Sequence, residues 1–202
     1  ETYLRAVPDP DRGWGLAALT GGLDFPAAKP ALLRGFGEDR IGPELFHLSY
    51  DYVGDLAETI SLIWPQRPGA NRAPDLAEIV ETLIESTKAQ GLKLVAGWLD
   101  ALDSTGRWGL LKLITGGLRV GVSARLARQA VADFGKVDVA EIEELWHGMS
   151  PPYLDLFAWL EGKPHDVPVP QHIHHPPAIT RGEHLRHRHH LVTLQRGQPI
   201  QL

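Results

Sequence analysis

The sequence predicts an all-α protein, a single globular domain of about nine or ten packed helices over residues 1–162. Two observations predict it. Apolar residues recur three and four positions apart in nearly every periodic segment, and residues that favour helix ends stand at the segment boundaries. Alternation of apolar and polar residues, the pattern of a half-buried strand, does not extend over five residues anywhere before residue 163.

Glycine and proline mark most of the helix boundaries. Thr20, Gly21 and Gly22 (20–22) close the first apolar segment, because glycine adopts the left-handed conformation that ends helices. Pro26 and Pro30 interrupt the next segment and predict a short helix at best. Pro43 suits the first turn of another helix, and residues 65–74 form a proline-rich loop. The predicted segments are 12–19, 25–35, 43–48, 55–64, 76–84, 92–102, 105–114, 123–134, 138–146 and 152–160.

Polar side chains are expected to cap the helix starts, since their oxygens accept backbone N–H groups that have no partner within the helix. Asp75 with Glu78, and Asp138 with Glu141, have the spacing of a capping box. The other predicted caps are Asp55, Ser104 or Thr105, and Ser123. Asp51, Asp55 and Glu58 lie close together in the sequence, and helix capping by Asp55 explains this better than a metal site or an acid–base pair does. A catalytic triad that includes His47 and Ser49 has little support.

One pattern occurs twice in the chain. Residues 14–23 read Trp-Gly-Leu leading to Thr-Gly-Gly-Leu, and residues 108–118 repeat this with one residue more between the two parts. The repeat predicts two pseudo-symmetric halves, although glycine caps are common enough for chance similarity to be a serious alternative. Asp24 follows the first copy where Arg119 follows the second, so the two turns differ in charge and would not contribute equally to binding.

Length and composition set the outer limits. The 202 residues, 43% of them hydrophobic, suffice for one domain with a core, or for a domain plus a tail. The chain has no cysteine, which excludes disulfides and cysteine-based zinc sites and favours a cytoplasmic location. No apolar run has the roughly 20 residues of a membrane helix, and the start without Met indicates that the chain begins inside a longer one. We expect a monomer whose tryptophans anchor the core: Trp14, Trp64, Trp98, Trp108, Trp146 and Trp159.

Residues 107–132 reverse the sign of the chain's charge. They carry five basic residues and no acidic one, whereas the whole chain has a formal net charge of -5. Gly116 and Gly117 (116–117) followed by Ser123 predict a helix, a tight turn and a second helix, and the free amides at the second start, beside Arg119, would cradle a phosphate. The alternative is a solvated basic helix face. The basic residues are Arg107, Lys112, Arg119, Arg125 and Arg128.

Five blocks of this sequence resemble ATP-dependent DNA ligases. Residues 115–131 resemble the segment in which a basic glycine-rich turn of these enzymes meets the DNA backbone, and residues 48–64 resemble the block around Gly-Asp-Leu, here Gly54, Asp55 and Leu56 (54–56). Residues 9–24, the loop ending near Pro74, and residues 141–162 are similar to the bacterial branch. The blocks stand in the family's order and together span residues 1–162. They indicate the N-terminal helical DNA-binding domain of such a ligase.

The resemblance implies sequence-independent binding of nicked or duplex DNA through minor-groove and phosphate contacts, in DNA repair, replication and recombination. Gly54 and Asp55 are expected to be structural, as a turn and an N-cap. With the basic residues added, the candidate DNA-binding residues are Arg107, Lys112, Gly116, Gly117, Arg119, Gly121, Ser123, Arg125 and Arg128. The alternatives are a helical protein-interaction scaffold with a solvated basic face, and a metal-dependent enzyme built on the histidine-rich tail.

The chain departs from the ligases in its catalytic machinery. Ligation proceeds through a lysine–AMP adduct on a Lys-x-Asp-Gly motif, and none of the six lysines here is followed by Asp and Gly at the required positions. The nucleotidyltransferase and OB-fold domains of the family do not follow residue 162. We therefore expect no catalytic residue, no metal site and no cofactor in this chain, and no sealing of DNA by it alone; ATP and Mg would serve the missing catalytic domain.

Residues 163–202 form a His/Pro-rich tail, expected to be irregular, that resembles no part of a ligase. The tail holds eight of the ten histidines. Three interpretations are open: a frame change or truncation near Lys163, a foreign extension, and a metal-binding tract. We favour the first over a metal site, because the histidines do not have the spacing of a tetrahedral metal site. The candidate ligands for the last are His172, His174, His175, His184, His187, His189 and His190.

Overall fold

The computed structural model describes residues 1–65, 72–118, 120–164 and 166. This part of the chain contains α-helices, one 3-10 helix and no strand, so the predicted all-α single domain is confirmed. The helices are α1 (Thr2–Ala6), α2 (Asp11–Thr20), the 3-10 helix Pro26–Ala28, α3 (Pro30–Ile41), α4 (Pro43–Val53), α5 (Leu56–Ile63), α6 (Leu76–Glu85), α7 (Lys88–Ala101), α8 (Ser104–Ile114), α9 (Ala124–Gly135), α10 (Val139–Trp146) and α11 (Leu154–Leu160).

The prediction for the second segment was wrong. Residues 25–35 were expected to hold a short helix at best, yet Pro30 begins the twelve-residue α3. Proline interrupts a helix only from its interior; at the first position it has no hydrogen bond to lose, and its fixed φ already suits the helix. The short α1 was not predicted, so the described chain has one or two more α-helices than expected. The predicted tail beyond Lys163 lies almost wholly outside the described residues.

One hydrophobic core runs through the domain. α5 packs on α8 and on α4, α9 packs on α10, and α2 packs on both α6 and α9. The apolar positions that recur along these helices form the buried cluster. Its largest fully buried side chains are Leu16, Phe25, Leu33, Phe46, Ile60, Leu83, Leu99, Leu111, Ile142, Leu156, Phe157 and Trp159.

Three of the predicted helix caps are confirmed. The side chains of Asp55, Ser123 and Asp138 accept backbone N–H groups at the starts of α5, α9 and α10. At α10 the donor is Ala140, and the N–H of Glu141 bonds the backbone carbonyl of Asp138, so the capping box predicted there does not form. The prediction of Ser104 or Thr105 was wrong, because Asp103 stands one residue earlier. Its Oδ1 accepts the N–H of Gly106 at 2.7 Å.

The capping box predicted at α6 does not form. Arg72 instead contacts both Asp75 and Glu78. The start of α6 is capped from another helix, since Asp11 Oδ1 accepts the N–H of Ala77 at 2.6 Å. A carboxylate from α2 thus supplies the negative charge that a helix N-terminus favours.

The two Thr-Gly-Gly turns have the same geometry. Gly21 and Gly116 adopt φ of 75° and 72°, and the N–H of the following glycine bonds the carbonyl five residues back at 2.8 Å in the first turn and 2.9 Å in the second. Around the turns the copies differ. The indole N–H of Trp14 bonds Glu81 from a buried position, whereas Trp108 is exposed. The repeat is thus a shared helix ending, and the pseudo-symmetry of two halves stays a prediction.

Candidate nucleic-acid interface

The segment between α8 and α9 is an exposed turn built on glycine. Gly116 and Gly121 adopt φ of 72° and 74°, and a Cβ on either would meet open space. Gly117, the second glycine of the predicted tight turn, is not among the residues with positive φ. Its role is different, because a Cβ there would lie 3.3 Å from the Lys112 side chain. Two left-handed positions therefore shape the turn before α9.

The turn ends at a capped helix start. Ser123 Oγ accepts the N–H of Leu126 at 3.2 Å, as the sequence predicted. Arg125 follows in the first turn of α9, is exposed, and forms no ion pair with any described residue. Free amides and an unpaired guanidinium at a helix N-terminus together attract an anion.

Arg128, one turn further along α9, is less available. Its Nε lies 3.8 Å from Glu143 Oε1, and its guanidinium lies 5.6 Å from the centroid of the Trp146 ring. Both partners belong to α10. The charge of Arg128 is therefore shared with α10, although its side chain keeps partial exposure.

Lys112 is held against α5. Its Nζ lies 2.6 Å from Asp55 Oδ2, and it lies 5.9 Å from the centroid of the Trp108 ring. The hydrogen bond from Lys112 is the main reason that the pKa of Asp55 lies below its ordinary value; the backbone N–H of Glu58 contributes in the same direction, and burial opposes it. Asp55 thus caps α5 and joins it to α8, consistent with the structural role expected of it.

Arg107 does not belong to the interface, so this prediction was wrong. The residue is 5% exposed. Its Nε donates to the carbonyl of Leu99 at 2.6 Å, and Nη1 donates to the carbonyl of Trp64 at 3.3 Å. These carbonyls stand at the C-terminal ends of α7 and α5, where carbonyl oxygens have no N–H partner within the helix. A buried guanidinium has several N–H groups and can donate to both.

The basic segment is thus divided between two neighbourhoods. α8 packs mainly on α5, whereas α9 packs mainly on α10 and α2. Lys112 accordingly faces an acid of one helix and Arg128 an acid of another. Among the described residues of this segment, Lys112 and Arg128 therefore face different helices and not one open surface. Arg119 lies outside the described residues. Among the described basic residues of this segment, Arg125 is the exposed one without an ion pair.

Exposed apolar side chains surround the turn, and the sequence reasoning missed them. Val120, Val122 and Leu126 are exposed. Trp108, predicted to be a core anchor, is 39% exposed and is a further correction. The exposure of Leu126 could have been predicted, because one residue along a helix is a rotation of about 100° and Leu126 therefore lies beside the face of α9 that buries Ala127 and Val131, not on it.

Other candidate sites add little. Among the described residues, no three His, Cys, Asp or Glu side chains are grouped to hold a metal ion. The histidines from His172 to His190 lie outside that part. Within the described residues, no helix has the length and hydropathy required to cross a bilayer.

Comparisons of the chain with protein-family models, with curated proteins and with solved structures found no match. The ligase-like blocks and the geometry of the turn are therefore the observations on which a function can be argued.

Proposed function

We propose that this chain binds duplex and nicked DNA without sequence preference, through phosphate and minor-groove contacts, as the DNA-binding portion of an ATP-dependent DNA ligase. The observation that carries the proposal is the exposed glycine turn that leads into the capped start of α9, with Arg125 unpaired beside it. Its residues 115–131 are also the block that most resembles the ligases.

The chemistry of this turn suits a phosphate backbone. Glycine at residues 116, 117 and 121 keeps side chains away from an approaching strand, and the amides at the α9 start can donate to phosphate oxygens. The exposed Val120 and Val122 suit the sugars of a groove wall. Contacts to phosphate and sugar carry no base identity, so sequence-independent binding follows from them.

The proposed contacts differ in strength. Arg125 is the principal cation among the described residues. Arg119 is proposed as a second DNA-binding cation on the basis of the resemblance to the ligases alone. Lys112 and Arg128 contribute less because each already contacts an acid. A mostly acidic body with a localised basic element favours defined placement on DNA over general adhesion.

The test compares Arg125→Ala with Lys93→Ala, binding a fluorescent nicked duplex over a range of salt concentrations. Both substitutions remove one exposed positive charge, but Lys93 lies on α7, away from the turn. We expect Arg125→Ala to weaken binding equally for unrelated sequences and to lower the salt slope by about one unit, since one phosphate contact is lost. Lys93→Ala should match the parent. If Arg125→Ala also matches the parent, the turn is a solvated surface and the scaffold alternative takes its place.

The wider setting rests on the resemblance. The proposed partners are DNA and, in the intact family, the nucleotidyltransferase and OB-fold domains that use ATP and Mg. The proposed role is in DNA repair, replication or recombination, in the cytoplasm and as a monomer. The chain would place the ligase on its substrate without contributing a catalytic residue.

A further inference from the structure

The helix α4 has apolar residues on two opposite sides. Phe46 is fully buried and lies near Gly37 of α3 and Ile60 of α5, and Tyr50 stacks on Phe46. On the other side, Leu45 is 54%, Leu48 65% and Tyr52 93% exposed. We call these three exposed residues the α4 outer stripe.

The stripe is one continuous surface. Its residues are spaced by three and four positions, which places them one above another on the helix. At 3.6 residues per turn they point away from Phe46 and Tyr50, and so away from the core. A surface helix of a soluble protein normally has polar residues opposite its buried side, and a helix that is apolar on both sides is normally covered on both. This stripe is therefore a surface that another molecule would cover.

The two edges of the stripe differ in charge. Glu44 and Asp51 lie seven residues apart on one edge; both are exposed, and neither pairs with a described cation. The other edge carries Ser49 and Val53. The cation packed on α4 from a neighbouring helix is Arg34, whose guanidinium lies 4.1 Å from the centroid of Tyr50, on the inward side. The acidic edge thus keeps its negative charge toward solvent.

We propose that the α4 outer stripe docks an amphipathic helix of a partner protein that carries basic residues along one edge. The leucines and the tyrosine would bury against apolar residues at helical spacing, and tyrosine is among the residues that most often dominate binding energy at interfaces. The acids Glu44 and Asp51 would pair with the partner's basic edge and set the orientation of the two helices.

The same charge pattern disfavours other occupants. Two copies of the chain that paired their stripes in antiparallel, two-fold fashion would bring both acidic edges together, which costs free energy through repulsion. An anionic membrane surface would be repelled by Glu44 and Asp51 in the same way. The docking surface lies on α4 and shares no residue with the turn before α9, so it does not depend on DNA binding.

The probe is a pair of synthetic helical peptides, each about five turns long, with the same leucine face. One has lysine along one edge of that face and the other has glutamate. We expect the full chain to bind the lysine-edged peptide, measured by fluorescence anisotropy, at least about tenfold more tightly than the glutamate-edged one. Equal binding of the two peptides, or no binding of the lysine-edged one, overturns the proposal.

Variants of the chain locate the site. The pair Leu48→Ala and Tyr52→Ala should weaken binding at least about tenfold, the loss typical of dominant interface residues. The pair Glu44→Gln and Asp51→Asn should weaken it and flatten its dependence on salt. Ile84→Ala removes an exposed apolar side chain of similar size from α6 and should change nothing. Thermal unfolding confirms that each variant is folded.

Two further outcomes contradict the proposal. Equal losses for Ile84→Ala and for the stripe variants would mean that the peptide adheres to any apolar surface. Sedimentation that shows a dimer of the parent, dissociated by Leu48→Ala, would assign the stripe to a second copy of the chain.

Discussion

The contrast between Arg107 and Arg125 shows what a single residue's charge does not reveal. Both lie in the same basic segment, yet one donates to carbonyls of Leu99 and Trp64 inside the core and the other faces solvent. The sequence predicts the charge of each. The partners of Arg107 are eight and forty-three residues away, so its role depends on the position that α8 takes beside the ends of α5 and α7, which the charge of the residue does not indicate.

The pair Asp55–Lys112 makes a pH-dependent contribution to stability. The hydrogen bond from Lys112 lowers the pKa of Asp55 in the folded protein. A lowered folded-state pKa stabilises the fold above the unfolded value of about 3.9, and that stabilisation disappears as the pH falls through the folded-state pKa. We therefore expect Lys112→Met to be less stable than the parent at pH 7, with the difference shrinking below about pH 4.

Urea unfolding at several pH values, followed by tryptophan fluorescence, measures this difference in the free energy of unfolding. Lys93→Met is the control, because Lys93 is exposed and has no ion pair with a described residue. A gap between Lys112→Met and the parent that is constant from pH 7 to about pH 3 would show that the lysine acts by packing and not by its charge.

At the scale of elements, capping residues and apolar spacing near each segment predicted most of the helices. Features that depend on residues far away in the sequence were not predicted. Asp55, Ser123 and Asp138 cap their own helices, so the sequence near each helix start was enough. The cap of α6 comes from Asp11, 66 residues away, and no local pattern contains it. Thr87 and Gln90 do form a capping box that begins α7 before the predicted Leu92, a signal that was present and missed.

The candidate interface was predicted less well than the fold, for a related reason. The positive φ of Gly116, the helix cap at Ser123 and the position of Arg125 depend on residues close by in the sequence, and all three residues were identified from the sequence. The availability of a cation depends on which acids lie opposite it. Glu143 and Asp55 reach Arg128 and Lys112 from other helices, and net charge along the sequence does not contain that information.

The turn between α8 and α9 depends on its left-handed glycines. Gly121 adopts φ of 74° with open space around it, so a side chain there is penalised by conformation and not by a clash. We expect Gly121→Val to lower the free energy of unfolding by about 1–2 kcal/mol, or to push the turn into another shape and weaken DNA binding. Gly121→Asn should cost less on both measures, because asparagine tolerates the left-handed region.

Chemical unfolding and nicked-duplex binding of the two variants check this expectation. Gly97 provides a matched control, since it also faces open space but lies inside α7. Gly97→Ala should stabilise the helix by up to about 1 kcal/mol and leave binding unchanged. If valine and asparagine at position 121 behave alike, the conformation of Gly121 is not what shapes the turn.

At the scale of the whole molecule, the two proposed surfaces belong to opposite kinds of chemistry. The turn before α9 offers amides, glycine and Arg125, whereas the α4 outer stripe offers leucine, tyrosine and acids. An acidic surface does not attract DNA, so the two partners would not compete for one face. A chain with both could hold DNA and a second protein at once.

Arg12, on α2, contacts residues from both ends of the described domain. Its Nη1 donates to the carbonyl of Leu4 on α1 at 3.3 Å. Its guanidinium forms two hydrogen bonds with Asp9, at 3.0 and 2.5 Å, and one with Glu161 after α11, at 2.6 Å. It also lies 4.1 Å from the centroid of the Phe157 ring. Burial alone would raise the pKa of Glu161, but the hydrogen bonds from Lys163 and Arg12 outweigh it and hold that pKa below its ordinary value. The arginine thus ties the first residues of the described domain to the end of α11.

Removing this side chain should therefore weaken the whole domain. We expect Arg12→Met to lower the free energy of unfolding by about 3 kcal/mol, since it leaves Asp9 without its partner and Glu161 with Lys163 alone. The partial exposure of both acids keeps the loss near the lower end of the range for broken buried pairs. Arg5→Met is the matched control. Arg5 lies over the Phe134 ring, as Arg12 does. It is more exposed, and its contact with Glu1 is 3.7 Å long, so its loss should cost less than about 1 kcal/mol.

Guanidinium chloride unfolding, followed by circular dichroism, measures the free energy of unfolding of both variants. A single transition shifted to lower denaturant for Arg12→Met would show that the domain unfolds as one unit whose two ends this arginine joins. Equal effects of the two substitutions would mean that the contacts with Asp9 and Glu161 add no more than the surface pair of Arg5.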